Sequence, residues 1–140
     1  VRARIEHTGI FIGAAAVADY RPARYSEAKL KKDGHLVLEL EQTEDILATV
    51  ARGDPRPFTV GFAAETEDLL ANAEKKLASK NLDLVAANRV GAAGPGIESD
   101  DNALTLLWPG GRQELPLAPK ADLAGALVEV IAARCRARRG

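Results

Sequence analysis

The sequence predicts an α/β protein with a Rossmann-like three-layer fold, in which helices flank a mostly parallel sheet and a β-hairpin lies near the C-terminus. Three observations predict this class. Continuous apolar runs of strand length recur, as in strands covered on both faces. Segments with helical spacing of apolar residues separate several of them, which is the alternation of parallel strands and crossover helices. The last third adds two short strand patterns around a Pro-Gly-Gly turn.

The first half is predicted to contain two strands and a short helix. Ile10–Val17 (IFIGAAAV) is continuously apolar or small, which predicts a buried strand. His35–Glu41 (HLVLELE) alternates, which predicts a half-buried strand with its leucines on one face. Thr43 is predicted to cap a short helix that ends before Gly53.

The second half is predicted to alternate strands and helices. Phe58–Ala63 (FTVGFA) and Leu82–Ala87 (LDLVAA) are predicted to be buried strands, with an amphipathic helix from Thr66 to about Lys80 between them. The hairpin and a final helix complete the predicted elements: Ala103–Trp108, the turn Pro109–Gly111, Arg112–Leu115, and a helix from Asp122 to about Arg138.

Length and composition limit the classes of function that the chain can have. The chain has 140 residues, and we expect one nucleotide-binding domain over 1–140 that is truncated at its N-terminus, because the chain opens on Val1. Nineteen basic and twenty acidic residues nearly cancel, so no global field favours nucleic acid or an anionic membrane. The single cysteine, Cys135, excludes an internal disulfide, and no apolar run is long enough to cross a bilayer. A cytoplasmic location is expected.

Ligands of such sheets collect where parallel strands end, which draws attention to Ala18–Asp19, Ala63–Glu65 and Ala87–Asn88. The small run Gly13–Ala16 would let a base, ribose or phosphate approach the backbone, although composition alone favours close strand-to-helix packing there. Asp19 could accept from an exocyclic amine, a ribose hydroxyl or a magnesium-bound water, or it could cap a turn.

Lysines supply the positive charge that a triphosphate would need. Lys29, Lys31 and Lys32 cluster in one loop, and Lys76 and Lys80 lie four residues apart on one predicted helix face. Fixed ammonium groups would stabilise the negative charge that builds up during cytidylyl or adenylyl transfer. A solvated lysine face is the alternative, and it applies to each lysine taken singly.

Five segments in register resemble phosphopantothenate-cysteine ligase over essentially the whole chain. They are FIGAAAVADYRP (Phe11–Pro22), KLKK (Lys29–Lys32), VGFAAET (Val60–Thr66), KNLDLVAANRV (Lys80–Val90) and SDDNALTLLW (Ser99–Trp108). The resemblance implies a ligase that activates the carboxylate of 4′-phosphopantothenate with CTP, releases pyrophosphate, and joins cysteine through an acyl-cytidylate. It also implies Mg²⁺, a homodimer, and a fused flavin-dependent decarboxylase that would carry FMN in a part absent here, within a larger bifunctional oligomer.

The same resemblance assigns site residues. Gly13, Ala14 and Ala15 would line the nucleotide, Asp19 and Phe62 would help to hold the cytidine, and Lys29 would reach the phosphates as the candidate catalytic residue. If so, Asp19, Lys29, Phe62 and Lys80 should surround one surface. The remaining implied binding residues are Glu44, Asp45, Ile46, Leu47, Lys76, Lys80 and Asn88, and no metal ligand is assigned.

Two departures from the family pattern bear on activity. Glu44 stands where the family often has proline. The family's Gly-Gly-Thr turn and the asparagine credited with supporting acyl-cytidylate formation would both lie upstream of Val1. The isolated chain is therefore expected to lack full turnover.

Two rival functions fit the same succession of strands. One is a Rossmann-like oxidoreductase that uses NAD or a flavin, although the chain lacks the GxGxxG fingerprint. The other is a non-catalytic nucleotide-binding module. A titration with NADH against one with CTP, and an assay of pyrophosphate release, would separate these functions from the ligase.

Overall fold

The structure is a computed structural model that describes residues 1–29, 34–91 and 99–139, without the side chains of Arg2 and Arg139. After a 3₁₀ helix at Arg2–His7, its elements are β1 (Ile10–Gly13), β2 (Tyr20–Pro22), β3 (Leu40–Gln42), α1 (Ile46–Ala51), β4 (Phe58–Glu65), α2 (Leu69–Ser79), β5 (Leu84–Arg89), β6 (Asp101–Trp108), β7 (Gly111–Pro119) and α3 (Lys120–Arg139).

Five strands form one sheet in the order β1-β4-β5-β6-β7. β1 pairs with β4, and β4 with β5, in parallel, whereas β5–β6 and β6–β7 are antiparallel pairs. The predicted hairpin is therefore part of the same sheet, which makes that sheet mixed. β2 and β3 form a separate antiparallel pair.

Helices cover both faces of the large sheet, which confirms the three-layer α/β fold. Alternate side chains of a strand point to opposite faces, so the long apolar runs of β4 and β5 serve both layers. The α3 face includes Phe58, Val60, Leu84, Ala86 and Leu106 packed with Leu123, Leu127 and Ile131. The face covered by α1 and α2 includes Ala63, Val85, Ala87 and Leu107 packed with Ala51 and Ala73.

The first predicted strand was wrong in extent and in burial. β1 ends at Gly13, and the residues Ala14 to Val17 that follow are exposed. β1 is an edge strand, and Ile10 and Ile12 are 39% and 42% exposed. An apolar run of mostly small side chains was therefore not sufficient to indicate a strand buried on both faces.

The predicted strand His35–Glu41 was also wrong. Only Leu40–Gln42 is a strand, and the leucines expected to face the core, Leu36, Leu38 and Leu40, are exposed. β3 pairs with β2 and has no place in the large sheet, so its alternating pattern has no core face.

The predicted cap of α1 was wrong by two residues. The backbone N–H of Ala48 donates to Oδ1 of Asp45 at 2.9 Å, which makes Asp45 the N-cap. The hydroxyl of Thr43 instead donates to the carbonyl of Ala18. The described parts of the chain contain no helix with the length and apolar content that crossing a bilayer requires.

Candidate nucleotide site

A notch opens in the sheet because β1 ends before its neighbour does. Gly13 is in register with Gly61, and β4 continues beyond that point to Glu65. We call this surface the β1 notch and define it by Gly13–Ala15 and Phe62–Glu65. Ala14 and Ala15 are exposed there, and their small side chains would leave room for a ligand.

Two glycines let α1 approach the sheet beside the notch. A Cβ atom at Gly13 would lie 3.3 Å from Cδ1 of Leu47, and one at Gly61 would lie 2.8 Å from Cδ2 of the same leucine. The absence of these side chains therefore allows Leu47 to pack on both strands. Gly13 serves this close packing, whereas the two alanines after it remain open to solvent.

The two lysines of the α2 segment make contacts on this same side of the sheet. Nζ of Lys80 lies 2.8 Å from Oδ2 of Asp45, the N-cap of α1. Nζ of Lys76 donates a hydrogen bond to the carbonyl of Phe62 in β4. Both lysines are half-buried. Their ammonium groups are therefore held by acceptors on two different elements.

The charged groups of the candidate site change the pKa values of Lys76 and Asp45. Burial lowers the pKa of the Lys76 ammonium and the charge of Lys80 lowers it further, against the opposing effects of Glu65, Asp45 and Asp19. Desolvation alone would raise the pKa of the Asp45 carboxyl. Hydrogen bonds from Lys80 and from the Ala48 N–H, with the charges of Lys80 and Lys76, outweigh it and lower that pKa. Asp45 is thus ionised at neutral pH.

Asp19 belongs to this group through the loop that follows β1. Its carbonyl accepts from the backbone N–H of Thr43 at 2.8 Å, which ties the loop to the segment before α1. Its exposed carboxylate acts on the charge of Lys76. Asp19 and the carbonyl of Phe62 are therefore connected to Lys80 through Lys76 and Asp45.

Lys29 is not joined to this group by any contact among the described residues. It is exposed, and the described part of the chain gives it no hydrogen bond or ion pair. The rest of the KLKK segment, Leu30 to Lys32, lies outside the described residues. The predicted role of Lys29 at the phosphates stays a prediction.

Two predicted side chains belong to the other face of the sheet. The ring of Phe62 packs against the core on the α3 side, so only its carbonyl meets Lys76. Asn88 is half-buried, pairs in register with Ala64, and shares the face of Ala86 by strand alternation. A ligand would have to reach over the end of the sheet to meet both Asn88 and Lys76.

The remaining predicted residues support α1. The hydroxyl of Thr49 donates to Oε1 of Glu44 at 3.0 Å, and Ile46 is half-buried. Glu44 therefore interacts with the first turn of the helix although it stands where the family often has proline.

The nucleotide-binding residues predicted from the sequence omit Gly61 and Glu65, although Glu65 lies in the strand end Ala63–Glu65 that the sequence singled out. Gly61 allows the Leu47 contact, and a glycine inside an otherwise apolar strand was the signal for a close approach. Glu65 ends β4, accepts from the side chain of Asn72 at 3.0 Å and acts on the charge of Lys76. Its signal was a carboxylate at the carboxyl end of a central parallel strand.

A family model described as "DNA/pantothenate metabolism flavoprotein C-terminal domain" matches residues 1–135. The chain belongs to this family. Similar proteins include the coenzyme A biosynthesis bifunctional protein CoaBC of Vibrio cholerae serotype O1, which is 51% identical over 126 residues, covering 87% of this chain and 32% of that protein. The protein of the same name from Escherichia coli strain K12 is 43% identical over 139 residues, covering 96% of this chain and 34% of that protein.

Two solved structures have a similar fold. The C-terminal domain of a coenzyme A biosynthesis bifunctional protein CoaBC superposes with a TM-score of 0.74 at 30% identity, covering 99% of this chain and 60% of that one. The DNA/pantothenate metabolism flavoprotein from Streptococcus pneumoniae gives 0.73 at 25% identity, covering 94% and 66%. The predicted family resemblance is confirmed. The chain spans about a third of the length of the curated relatives it matches.

Proposed function

We propose that the chain is the ligase part of a coenzyme A biosynthesis protein, which joins 4′-phosphopantothenate and cysteine with CTP as the activating nucleotide. The relatives are named for coenzyme A biosynthesis, and five segments resemble phosphopantothenate-cysteine ligase. One structural observation carries the proposal: half-buried Lys76, whose charge interacts with that of Lys80, donates to the carbonyl of Phe62 in the β1 notch, where Ala14 and Ala15 are exposed.

This arrangement suits a nucleoside triphosphate chemically. The ammonium groups would bind the polyphosphate, and the small side chains of Ala14 and Ala15 would leave room for the nucleoside. The carboxylates of Asp45 and Asp19 add negative charge around Lys76, and the positive charge of the lysines must outweigh it to attract an anion. Positive groups fixed near the α-phosphate would offset the charge that builds there in the transition state.

The proposed reaction has two steps. A carboxylate oxygen of 4′-phosphopantothenate attacks the α-phosphorus of CTP, the bond to the β-phosphate oxygen breaks, and pyrophosphate leaves. The amine of cysteine then attacks the acyl carbon and loses a proton, and CMP leaves as the amide forms. Lys29 is assigned to the phosphates by the family resemblance alone.

In this proposal, Mg²⁺ would bind to the phosphates of CTP. When bound to the phosphates it would neutralise charge as a Lewis acid. Across the described ranges, His, Cys, Asp and Glu side chains form no group of three that would hold a metal ion, so neither step assigns a protein ligand to the metal. The proposal also includes a homodimer, and a fused decarboxylase that would hold FMN outside this chain.

The test is made in a full-length bifunctional protein that contains this chain. CTP and 4′-phosphopantothenate together should release pyrophosphate, and CMP release should then require cysteine. Absence of CTP-dependent pyrophosphate release would remove the ligase proposal. NADH binding without CTP binding would favour the oxidoreductase, and CTP binding without pyrophosphate release would favour the non-catalytic module.

Lys29→Gln tests the phosphate assignment. We expect the variant to weaken CTP binding by about tenfold while it changes CMP binding little, because a lysine charge near the β- and γ-phosphates contributes a charge-assisted bond of roughly that strength. Calorimetric titration measures both affinities. Lys75→Gln is the matched control, because Lys75 is an exposed lysine of α2. Equal losses of CTP and CMP binding would contradict the assignment.

A further inference from the structure

The carboxylate of Asp45 divides its two oxygens between two elements. Oδ1 accepts the N–H of Ala48 at 2.9 Å and so fixes the carboxylate at the start of α1. Oδ2 lies 2.8 Å from Nζ of Lys80, which follows α2 in the chain. The side chains of Asp45 and Lys80 are 43% and 32% exposed, so a ligand can reach the pair from solvent.

We propose that Asp45 is a positioning residue, which holds the Lys80 ammonium group for a bound polyphosphate and does not itself contact the nucleotide through its carboxylate. The inference deepens the proposed function, because it takes the polyphosphate from that proposal and assigns Asp45 a different task from the nucleotide contact expected from the sequence.

The charges support a positioning role. A carboxylate in direct contact with a phosphate would repel it, whereas a carboxylate behind an ammonium group orients that group. Lys80 has a long stem with many rotamers, and the ion pair removes part of that freedom before a ligand binds. An ammonium group has three N–H donors. Asp45 occupies one donor of Lys80, which leaves two for phosphate oxygens.

Lys76 is held in a parallel way, which extends the argument to the pair. Its ammonium group donates to the carbonyl of Phe62, a fixed backbone acceptor at the β1 notch. Lys76 and Lys80 are therefore each fixed by one acceptor, on β4 and at the cap of α1. A polyphosphate carries several negative charges, so two ammonium groups held in fixed orientations would bind it well.

The opposite possibility makes a different prediction. If Asp45 competed with the ligand for Lys80, removal of its charge would tighten polyphosphate binding. If Asp45 acted only as the cap of α1, its replacement would lower affinity whether or not Lys80 were present. These outcomes can be separated by changing both residues.

The experiment uses Asp45→Asn, Lys80→Met and the double variant of the chain, with inorganic tripolyphosphate as the probe in calorimetry. Asparagine is also a good N-cap, so Asp45→Asn keeps the acceptor for the Ala48 N–H and removes the charge that holds Lys80. We expect Asp45→Asn to weaken tripolyphosphate binding about two- to fivefold when Lys80 is present, the range of an exposed ion pair. In the Lys80→Met background it should cause no loss. Glu74→Gln, at an exposed acid of α2, controls for net charge.

Tighter binding by Asp45→Asn, or an equal loss in both backgrounds, would overturn the inference, as would a wild-type chain that does not bind tripolyphosphate. The result is independent of the ligase reaction. If tripolyphosphate binding shows the Asp45–Lys80 coupling but CTP yields no pyrophosphate in the full-length protein, the proposed function fails and the positioning role stands.

Discussion

Gly61 lies in β4 where two leucines reach the sheet. A Cβ atom there would lie 2.8 Å from Cδ2 of Leu47 and 2.9 Å from Cδ1 of Leu82, both closer than real contacts allow. We expect Gly61→Ala to lower the free energy of unfolding by about 1–3 kcal/mol, the usual cost of overpacking a core. Urea unfolding measures the change.

Gly125 provides the matched control for this substitution. It lies inside α3, is exposed, and would meet nothing within 4 Å if it carried a Cβ atom. Gly125→Ala should raise the free energy of unfolding by about 0.5–1 kcal/mol, because alanine is the better helix former. Equal effects of the two substitutions would show that the contacts with Leu47 and Leu82 do not restrict Gly61.

The lowered pKa of Lys76 predicts a pH dependence for anion binding. Burial and the charge of Lys80 disfavour its ammonium form, so Lys76 loses its proton at a lower pH than an ordinary lysine does. As the pH rises, tripolyphosphate affinity should therefore begin to fall before an ordinary lysine would lose its charge. Lys76→Arg should retain affinity to higher pH because arginine stays charged. Calorimetry across the alkaline range measures both profiles.

Deprotonation of Lys76 does not cause this loss by unfolding the chain, because the contribution of this group to stability changes in the opposite direction. Between the lowered pKa of folded Lys76 and its higher pKa in the unfolded chain, the unfolded state binds more protons, so this group makes stability rise with pH. Circular dichroism should show a folded chain where binding falls. Identical pH profiles of the wild type and Lys76→Arg would contradict the assignment, and Lys75→Arg serves as the control.

Individual site residues were predictable only where local sequence carries the signal. The small residues after β1 and the lysine spacing on α2 are visible in the chain, and in the structure the small residues and Lys76 lie at the β1 notch. The Asp45–Lys80 pair joins residues 35 positions apart, so no periodicity indicates it. The sequence predicted Thr43 as the cap of α1, and the hydrogen bond from Thr43 to Ala18, which engages the Thr43 hydroxyl elsewhere, is a tertiary contact.

At the scale of elements, Arg138 attaches the end of α3 to the sheet. Its Nη1 donates to the carbonyl of Pro57 at 3.1 Å and to Oδ2 of Asp83 at 2.8 Å, and its Nη2 donates to the carbonyl of Arg56 at 2.9 Å. The same Asp83 oxygen accepts from the N–H and the hydroxyl of buried Thr59. This carboxylate therefore connects α3, β4 and the segment before β5.

We expect Arg138→Ala to lower the free energy of unfolding by about 1.5–3 kcal/mol, the range for lost hydrogen bonds to a charged group. The charge of Asp83, which is mostly buried, would keep Arg56 as its remaining cationic partner among the described residues. Arg136→Ala is the control, because Arg136 is exposed two residues earlier and should change stability by at most about 0.5 kcal/mol. A loss of similar size in both variants would contradict the attachment.

The elements that sequence predicted well are the central strands, whose apolar residues occupy both faces. The runs in β4 and β5 are apolar on both faces, and both strands lie inside the sheet between two helical layers. β1 and β3 failed because their burial depends on what covers them. An alternating or apolar pattern shows that a face can be buried, and only the tertiary fold decides whether it is.

For the whole molecule, the layered architecture followed from the order of strand and helix patterns, but strand direction did not. The pairing of β6 with β5 is antiparallel, which puts the hairpin into the large sheet and leaves β7 at its edge. A hairpin pattern fixes only the pairing of its own two strands. The position of the hairpin in the sheet is set by the apolar residues that β6 and β7 share with α3.

The proposed homodimer is tested best through the exposed apolar segment that precedes β3. Leu36, Val37 and Leu38 are 68%, 83% and 62% exposed, and contiguous exposure of this kind is uncommon on a soluble monomer. The β6–β7 hairpin also exposes an apolar side chain, Leu117. We expect the chain to be a dimer by light scattering, Leu38→Glu to convert it to a monomer, and Leu117→Glu to leave it a dimer.

A monomeric wild type would contradict the dimer. Dissociation by Leu117→Glu alone would place the interface on the hairpin, because a buried unpaired carboxylate is costly only where a partner covers it.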